Sequence, residues 1–178
     1  MMFSKFKVLL FIFCGLILLS PAVVHGDEGE VRGVVQRVFE QLKSRDYGSV
    51  YDSLPSLSRA RMSKSRFVGA LSRAQNMYEL DRMDVGRVRM SGNMAVVDTV
   101  LYGKVLFPLQ TEGKIVVQQY LIREEGAWKV ATGDNATIKR FLAGNPAFGR
   151  KFPIRQPQIY VKQNGNWVEF RPPQLPRR

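Results

Sequence analysis

The sequence predicts an α+β fold, with three N-terminal helices packed on an antiparallel sheet and a C-terminal β-hairpin as an extension. Three observations carry this. Apolar residues recur at helical spacing from Val31 to Leu42, the periodicity changes to that of strands from Leu80 onward, and two sharp hairpin-turn signals follow, Glu124-Glu125-Gly126 and Gln163-Asn164-Gly165-Asn166.

The first helix begins with Asp27, Glu28 and Glu30, acids that the positive end of a helix dipole favours, and continues with Val31, Val34, Val35, Val38, Phe39 and Leu42 on one face. Asp46-Tyr47-Gly48 breaks it. Val50, Tyr51 and Leu54 predict a short second helix stopped by Pro55, and Ser63 or Ser65 caps a third whose apolar face is Phe67, Val68, Leu71, Ala74 and Met77. Met83, Val85, Val88 and Met90 then form a strand before the Ser91-Gly92-Asn93 turn. Residues 94–107 form a long second strand, residues 114–123 a third, and Trp128-Lys129-Val130 a fourth, giving an antiparallel meander.

Both faces of the second strand are apolar, with Val97, Leu101, Val105 and Phe107 pointing one way and Met94, Val96 and Val100 the other. A sheet that covers a core on one side alone shows clean alternation. A second cover is therefore expected, either another subunit or the chain's own C-terminal part. That part reads as a short helix over residues 137–143 closed by Gly144 and Pro146, then a hairpin of residues 158–162 and 167–170, then an extended tail. The echo between Tyr120-Leu121-Ile122…Gly126-Ala127-Trp128 and Ile159-Tyr160-Val161…Gly165-Asn166-Trp167 is read as a shared hairpin type rather than a duplicated domain.

The first 26 residues read as a secretory signal peptide: Lys5 and Lys7, an apolar run over residues 8–19, then Ser20-Pro21 and a small-residue stretch with cleavage after Gly26. The expected address is periplasmic or secreted, with an uncleaved membrane anchor as the alternative. The segment holds the chain's only cysteine, Cys14, and only histidine, His25. Its removal leaves no thiol or imidazole, which excludes Cys-His and Ser-His nucleophiles, disulfides and the usual zinc ligand sets. No cofactor is expected, since the sequence carries neither a P-loop nor a dinucleotide glycine fingerprint.

Charge is unevenly spread. The chain carries a net +12, yet residues 27–135 hold 16 Lys/Arg against 14 Asp/Glu, whereas residues 136–178 hold 9 Lys/Arg against the single acid Glu169. Two basic sets result: Arg59, Arg61, Lys64, Arg66 and Arg73 around the second and third helices, and Lys139, Arg140, Arg150, Lys151, Arg155, Arg171, Arg177 and Arg178 in the extension. Such patches attract polyanions, which outside the cytoplasm means membrane phosphates, lipopolysaccharide or wall polymers. Nucleic acid is not the expected partner, because no aromatic-rich nucleic-acid motif accompanies the charge.

The helix order, the Val34-Val35-Gln36-Arg37 segment, the Asp46-Tyr47-Gly48 break and the closing Glu125-Gly126-Ala127-Trp128-Lys129-Val130 strand resemble the nuclear-transport-factor-2-like superfamily, which includes ketosteroid isomerases. The resemblance implies a cone-shaped domain with a curved sheet over residues 27–135, a homodimer, and a basic extension over residues 136–178 that the family does not explain. The isomerases use a first-helix tyrosine, an acidic oxyanion-hole partner and a carboxylate base. Here the tyrosine position reads Val38, and the segment that would bring the base reads Ser58-Arg59-Ala60-Arg61. That chemistry is not expected in this chain.

A pocket constellation is still legible. Asp98, Val100 and Tyr102 share one strand face, and Gln118 and Tyr120 share one on the next strand. A buried carboxylate beside a tyrosine is a candidate general acid or base, with Tyr51 as a third catalytic candidate. The alternative is that Asp98 is hydrogen-bonded on a half-exposed side and Tyr51 packs in the core or at its rim. Two functions follow: an exported non-catalytic binding protein with a basic surface for an anionic membrane or cell-wall component, or a lyase, isomerase or carrier with a pocket for a small apolar ligand.

Overall fold

The computed structural model describes residues 25–107, 109–131 and 133–170. The expected signal segment, apart from its last two residues, and the tail with Arg171, Arg177 and Arg178 lie outside the described residues. Within these the helices and strands follow in the order α1 (His25–Lys43), α2 (Tyr47–Asp52), α3 (Ser56–Arg61), α4 (Lys64–Ala74), β1 (Tyr78–Ser91), β2 (Met94–Val105), β3 (Thr111–Glu124), β4 (Ala127–Val130), α5 (Asn135–Gly144), α6 (Pro146–Lys151), β5 (Gln158–Gln163) and β6 (Asn166–Glu169). The architecture is α+β, with the helices set against a curved antiparallel sheet.

Several helix starts have a local cause. Asp46 caps α2 by accepting the Ser49 N–H (3.1 Å), and hydrogen bonds from Ser49 hold its carboxyl below the usual range. Ser63, of the two expected caps, is the one that caps α4, accepting the Arg66 N–H (3.4 Å). Between them lies α3, a helix beyond the three expected before the sheet. It starts just after Pro55, and the Glu124 carboxylate accepts from the Ser56 N–H (2.8 Å) and hydroxyl (3.1 Å) at its first turn. That partner is 68 residues away in sequence, so no local pattern announces it. Likewise α6 opens on Pro146, which the sequence pattern marks as a stop; proline at the first helical position gives up only an N–H that would have no partner there.

The sheet runs β1-β2-β3-β5-β6, and β4 pairs beside β5 along the same side of β3. Both predicted tight hairpins close with two successive residues at positive φ, Glu125 and Gly126 (50° and 80°) and Asn164 and Gly165 (49° and 81°). The shared turn type accounts for the sequence echo. The second strand ends at Val105 rather than at residue 107, and Phe107 lies past it with 68% of its surface exposed.

The sheet has two cores. On one face Ala95, Val97, Leu121, Trp128 and Val130 pack on Val31, Val34 and Val35 of α1. On the other, Met94, Val96 and Tyr120 are covered by Ala131, Ile138 and Phe148, with Phe141, Leu142, Phe152 and Ile154 around them. The second cover that the two apolar faces demand is therefore the chain's own C-terminal part. Burying a side chain such as Phe148 contributes about 2–3 kcal/mol, so the extension is bound into the fold by its core as well as by β5.

Candidate functional site

Strand alternation sets the site on the face opposite α1, where the cover formed by α5 and α6 ends. On β2, Met94 and Val96 lie under that cover, and Asp98 is next on the same face. The β2–β3 register pairs Asp98 with Gln118 and Val96 with Tyr120, so these four positions form one block. Across the other edge, β1 pairs Arg89 with Val96, which places the arginine diagonal to Asp98.

Arg89 grips Asp98 with two parallel bonds, Nη1 to Oδ2 at 2.7 Å and Nη2 to Oδ1 at 2.5 Å. The Arg89 side chain is 19% exposed and that of Asp98 40%. Hydrogen bonds from Arg89, opposed by desolvation, hold the Asp98 carboxyl below the usual carboxylate range; the same pairing raises Arg89. Gln118 Nε2 donates to Asp98 Oδ1 at 3.4 Å. The buried Tyr120 hydroxyl donates to the Phe152 carbonyl at 3.0 Å and lies 3.3 Å from Gln118 Oε1, and burial pushes its pKa up. Arg155 adds positive potential that favours ionisation of both Asp98 and Tyr120.

A hollow of about 650 Å³ opens beside this block, lined by Asp98, Val116, Gln118, Arg155, Gln158 and Glu169 among others. Its lining combines the amides of Gln118, Gln156 and Gln158, the carboxylates of Asp98 and Glu169 and the Arg155 guanidinium with Val116, Val117 and Pro157. A larger open hollow of about 810 Å³ lies at Lys104, Gln110, Thr111 and Lys162. There the Glu112 carboxylate is engaged by the Lys162 ammonium (2.9 and 3.0 Å), away from the Asp98 block.

The structure thus brings together Asp98, Gln118 and Tyr120 and separates the other two candidates from them. Tyr102 shares the face of Asp98, but its ring lies under the Arg82 guanidinium (3.6 Å) and edge-on to Trp167 (6.5 Å). Tyr51 is in the helical layer. Its ring meets Phe67 at 5.7 Å, and its hydroxyl lies 2.9 Å from the Met62 carbonyl and 3.1 Å from that of Arg59, where it ties α2 to the α3–α4 joint. Arg89, which decides the state of Asp98, is absent from the candidates that sequence reasoning yields. A signal for it exists: counting back from the Ser91-Gly92-Asn93-Met94 turn sets Arg89 one diagonal from Asp98.

Of the six described cations of the extension, Lys162 pairs with Glu112 (2.9 Å), and the other five, Lys139, Arg140, Arg150, Lys151 and Arg155, are all exposed. Among the described residues none of these five forms a salt bridge. They lie on α5, α6 and the segment that leads to β5, on the surface that covers the second core.

No family model and no curated protein matches the chain. Among solved structures it is similar to a Campylobacter jejuni protein named as an NTF2-like transpeptidase, with 15% identity and a TM-score of 0.39 over 57% of this chain and 96% of that one. It is also similar to an M. tuberculosis LEH-like epoxide hydrolase, with 15% identity and a TM-score of 0.40 over 70% of this chain and 98% of that one. What the chain itself shows is an α+β architecture, with helices set against an antiparallel sheet, as the sequence predicts. No residue role is carried over from either protein.

Proposed function

We propose that this is an exported, non-catalytic binding protein whose C-terminal surface holds an anionic component of the cell envelope. The observation that carries the reading is the exposed set Lys139, Arg140, Arg150, Lys151 and Arg155, none of them in a salt bridge among the described residues. Surface cations that no carboxylate neutralises keep their potential for a polyanion. The Arg89–Asp98 pair supports the non-catalytic part, since a carboxylate held ionised by two hydrogen bonds is a weak base and has no proton to give.

Truncating the extension would not test this, because it would remove β5 and the second core as well. The clean test replaces all five cations by Gln and measures binding to cell-wall fragments from about 50 to 300 mM salt. The wild type should bind with affinity that falls steeply with salt, and the variant should lose at least about tenfold at low salt. Equal binding by a folded variant would sink the reading.

The pocket supports a second reading, a carrier or enzyme of the same fold. It is motivated by Asp98, Gln118 and Arg155 converging on the 650 Å³ hollow. Native mass spectrometry of the purified protein separates the two readings, because a stoichiometric small ligand would favour the pocket. A homodimer through the sheet remains part of the proposal. Ile115 and Val168, exposed on the sheet face that carries α1, are the surface it would use, and sedimentation equilibrium measures it.

A further inference from the structure

The other basic set has a different setting. Residues 53–78 contain no Asp or Glu, yet hold Arg59, Arg61, Lys64, Arg66 and Arg73. This acid-free run includes α3 and α4. Although α4 is amphipathic, none of its residues is fully buried. It leans on α2, through Phe67 against Tyr51, rather than on the sheet.

Ser65, Arg66, Gly69, Ala70 and Arg73 of α4, with Met62 just before the helix, line a hollow of about 360 Å³. Lys64 is neutralised by Asp52 at 2.7 Å. Arg66 and Arg73 form no salt bridge among the described residues.

This stripe leads, in sequence, to an apolar tip. Met77, 49% exposed, follows the end of α4, and its carbonyl accepts the backbone N–H groups of Leu106 (2.9 Å) and Phe107 (3.4 Å). Leu106, Phe107 and Leu109 are also exposed, in the connection between β2 and β3. The described molecule therefore has two arginines on a peripheral helix whose end is joined to a cluster of large exposed apolar side chains. Isolated apolar residues on a surface need no explanation, but a joined cluster beside unpaired cations does.

We propose that this edge docks on an anionic lipid bilayer, with Arg66 and Arg73 at the headgroup phosphates and Met77, Leu106, Phe107 and Leu109 dipping into the interface. A bilayer suits both halves of the edge, since phosphates attract the arginines and the interfacial layer accepts apolar side chains. A soluble polyanion would use the cations and leave the apolar tip in water. No described helix is long and apolar enough to cross a membrane, so the contact is a surface one. It does not rest on the C-terminal cations, and different substitutions test the two.

The test uses the chain from Asp27 onward, which retains every described strand, α2 to α6 and all of α1 but its first two residues. Its partition is measured onto vesicles of phosphatidylglycerol mixed with an excess of phosphatidylcholine, and onto pure phosphatidylcholine. A cation near such a surface is worth about fivefold in partition. Arg66→Gln with Arg73→Gln should therefore lower binding at least about tenfold, and Phe107→Ser with Leu109→Ser at least about threefold. Arg150→Gln with Lys151→Gln, on the C-terminal surface, should lower vesicle binding by less than the Arg66 and Arg73 pair does. Phe107→Trp adds a readout at the tip itself, with emission above that of Trp128 and Trp167 expected to move to the blue on anionic vesicles. The proposal is overturned if the folded arginine variant binds as the wild type does, if pure phosphatidylcholine binds equally, or if the added emission of the Phe107→Trp variant does not move. Retention of single-stranded nucleic acid with no vesicle association would assign the charge to a different partner and overturn it too.

Discussion

Replacing Asp98 by Asn, Arg89 by Gln, and both together measures how tightly the central pair of the candidate site is coupled. Two charge-assisted bonds at 2.5 and 2.7 Å are near the strong end for protein hydrogen bonds. Breaking a fully buried pair by removing one partner costs about 3–5 kcal/mol. Here Asp98 is 40% exposed, so water screens the pair, and the coupling expected from a double-mutant cycle is about 1–2 kcal/mol. Asp98→Asn leaves Arg89 mostly buried with its Nε already without a hydrogen-bond partner among the described residues, so that single variant should cost the larger share. In a chain of this size the loss lowers Tm by about 3–6 °C. The pair also sets a pH dependence. The folded pKa of Asp98 lies below its unfolded value, so its contribution is fully present above the unfolded pKa and is lost as pH falls through the folded one. Arg89→Gln removes the first cause of that depression and leaves desolvation, so the folded pKa rises and the stability lost on acidification should be smaller than in the wild type. Urea unfolding at a series of pH values reads the coupling, and carboxyl NMR of Asp98 reads the titration. A coupling under about 0.3 kcal/mol, or an Asp98 carboxyl that titrates at or above the ordinary aspartate value, would refute the reasoning.

Gly103→Ala should destabilise by about 1–3 kcal/mol in urea unfolding, because a Cβ there collides with the Glu79 carbonyl where β1 and β2 approach beside a register shift. Asp134 caps α5 through the Thr137 N–H (3.0 Å) and accepts the Thr137 hydroxyl (2.6 Å), which in turn accepts from Ser58 (3.2 Å). Asp134→Ala should cost about 1–2 kcal/mol in the same assay. Phe107→Ser, by contrast, should leave stability within about 0.5 kcal/mol, since the side chain is mostly in water.

What the sequence makes legible divides by the range of the contact that fixes it. The first helix, the Ser63 cap and the two tight hairpins rest on neighbours within a few residues, and all are found where the pattern sets them. The two apolar faces of β2 announce a second cover without saying which, because side-chain alternation reports burial and not the identity of the burying surface. The α3 helix rests on Glu124, 68 residues away. The site is half visible: alternation joins Asp98 to Gln118 and Tyr120, but the state of Asp98 depends on Arg89, a diagonal neighbour on the adjacent strand rather than a residue directly opposite it. A carboxylate in an apolar strand shows that something must stabilise it, but not that the partner is an arginine that removes it from acid–base chemistry.

The C-terminal part is where folding and proposed function meet, and the structure separates them residue by residue. Ile138, Phe148 and Val161 are nearly inaccessible and bind the extension to the sheet, so their truncation should cost several kcal/mol in the way buried large-to-small changes do. Lys139, next to Ile138, and Arg150 and Lys151, close behind Phe148, are exposed to water. A surface that served solubility alone would need no such sign bias, since mixed charges do that equally well. Because the apolar positions hold the cover in place and the basic ones make no salt bridge among the described residues, the cations can be neutralised without unfolding the domain. An effect of that neutralisation on envelope binding would therefore report on recognition, while an effect of deleting the segment would report mainly on the fold.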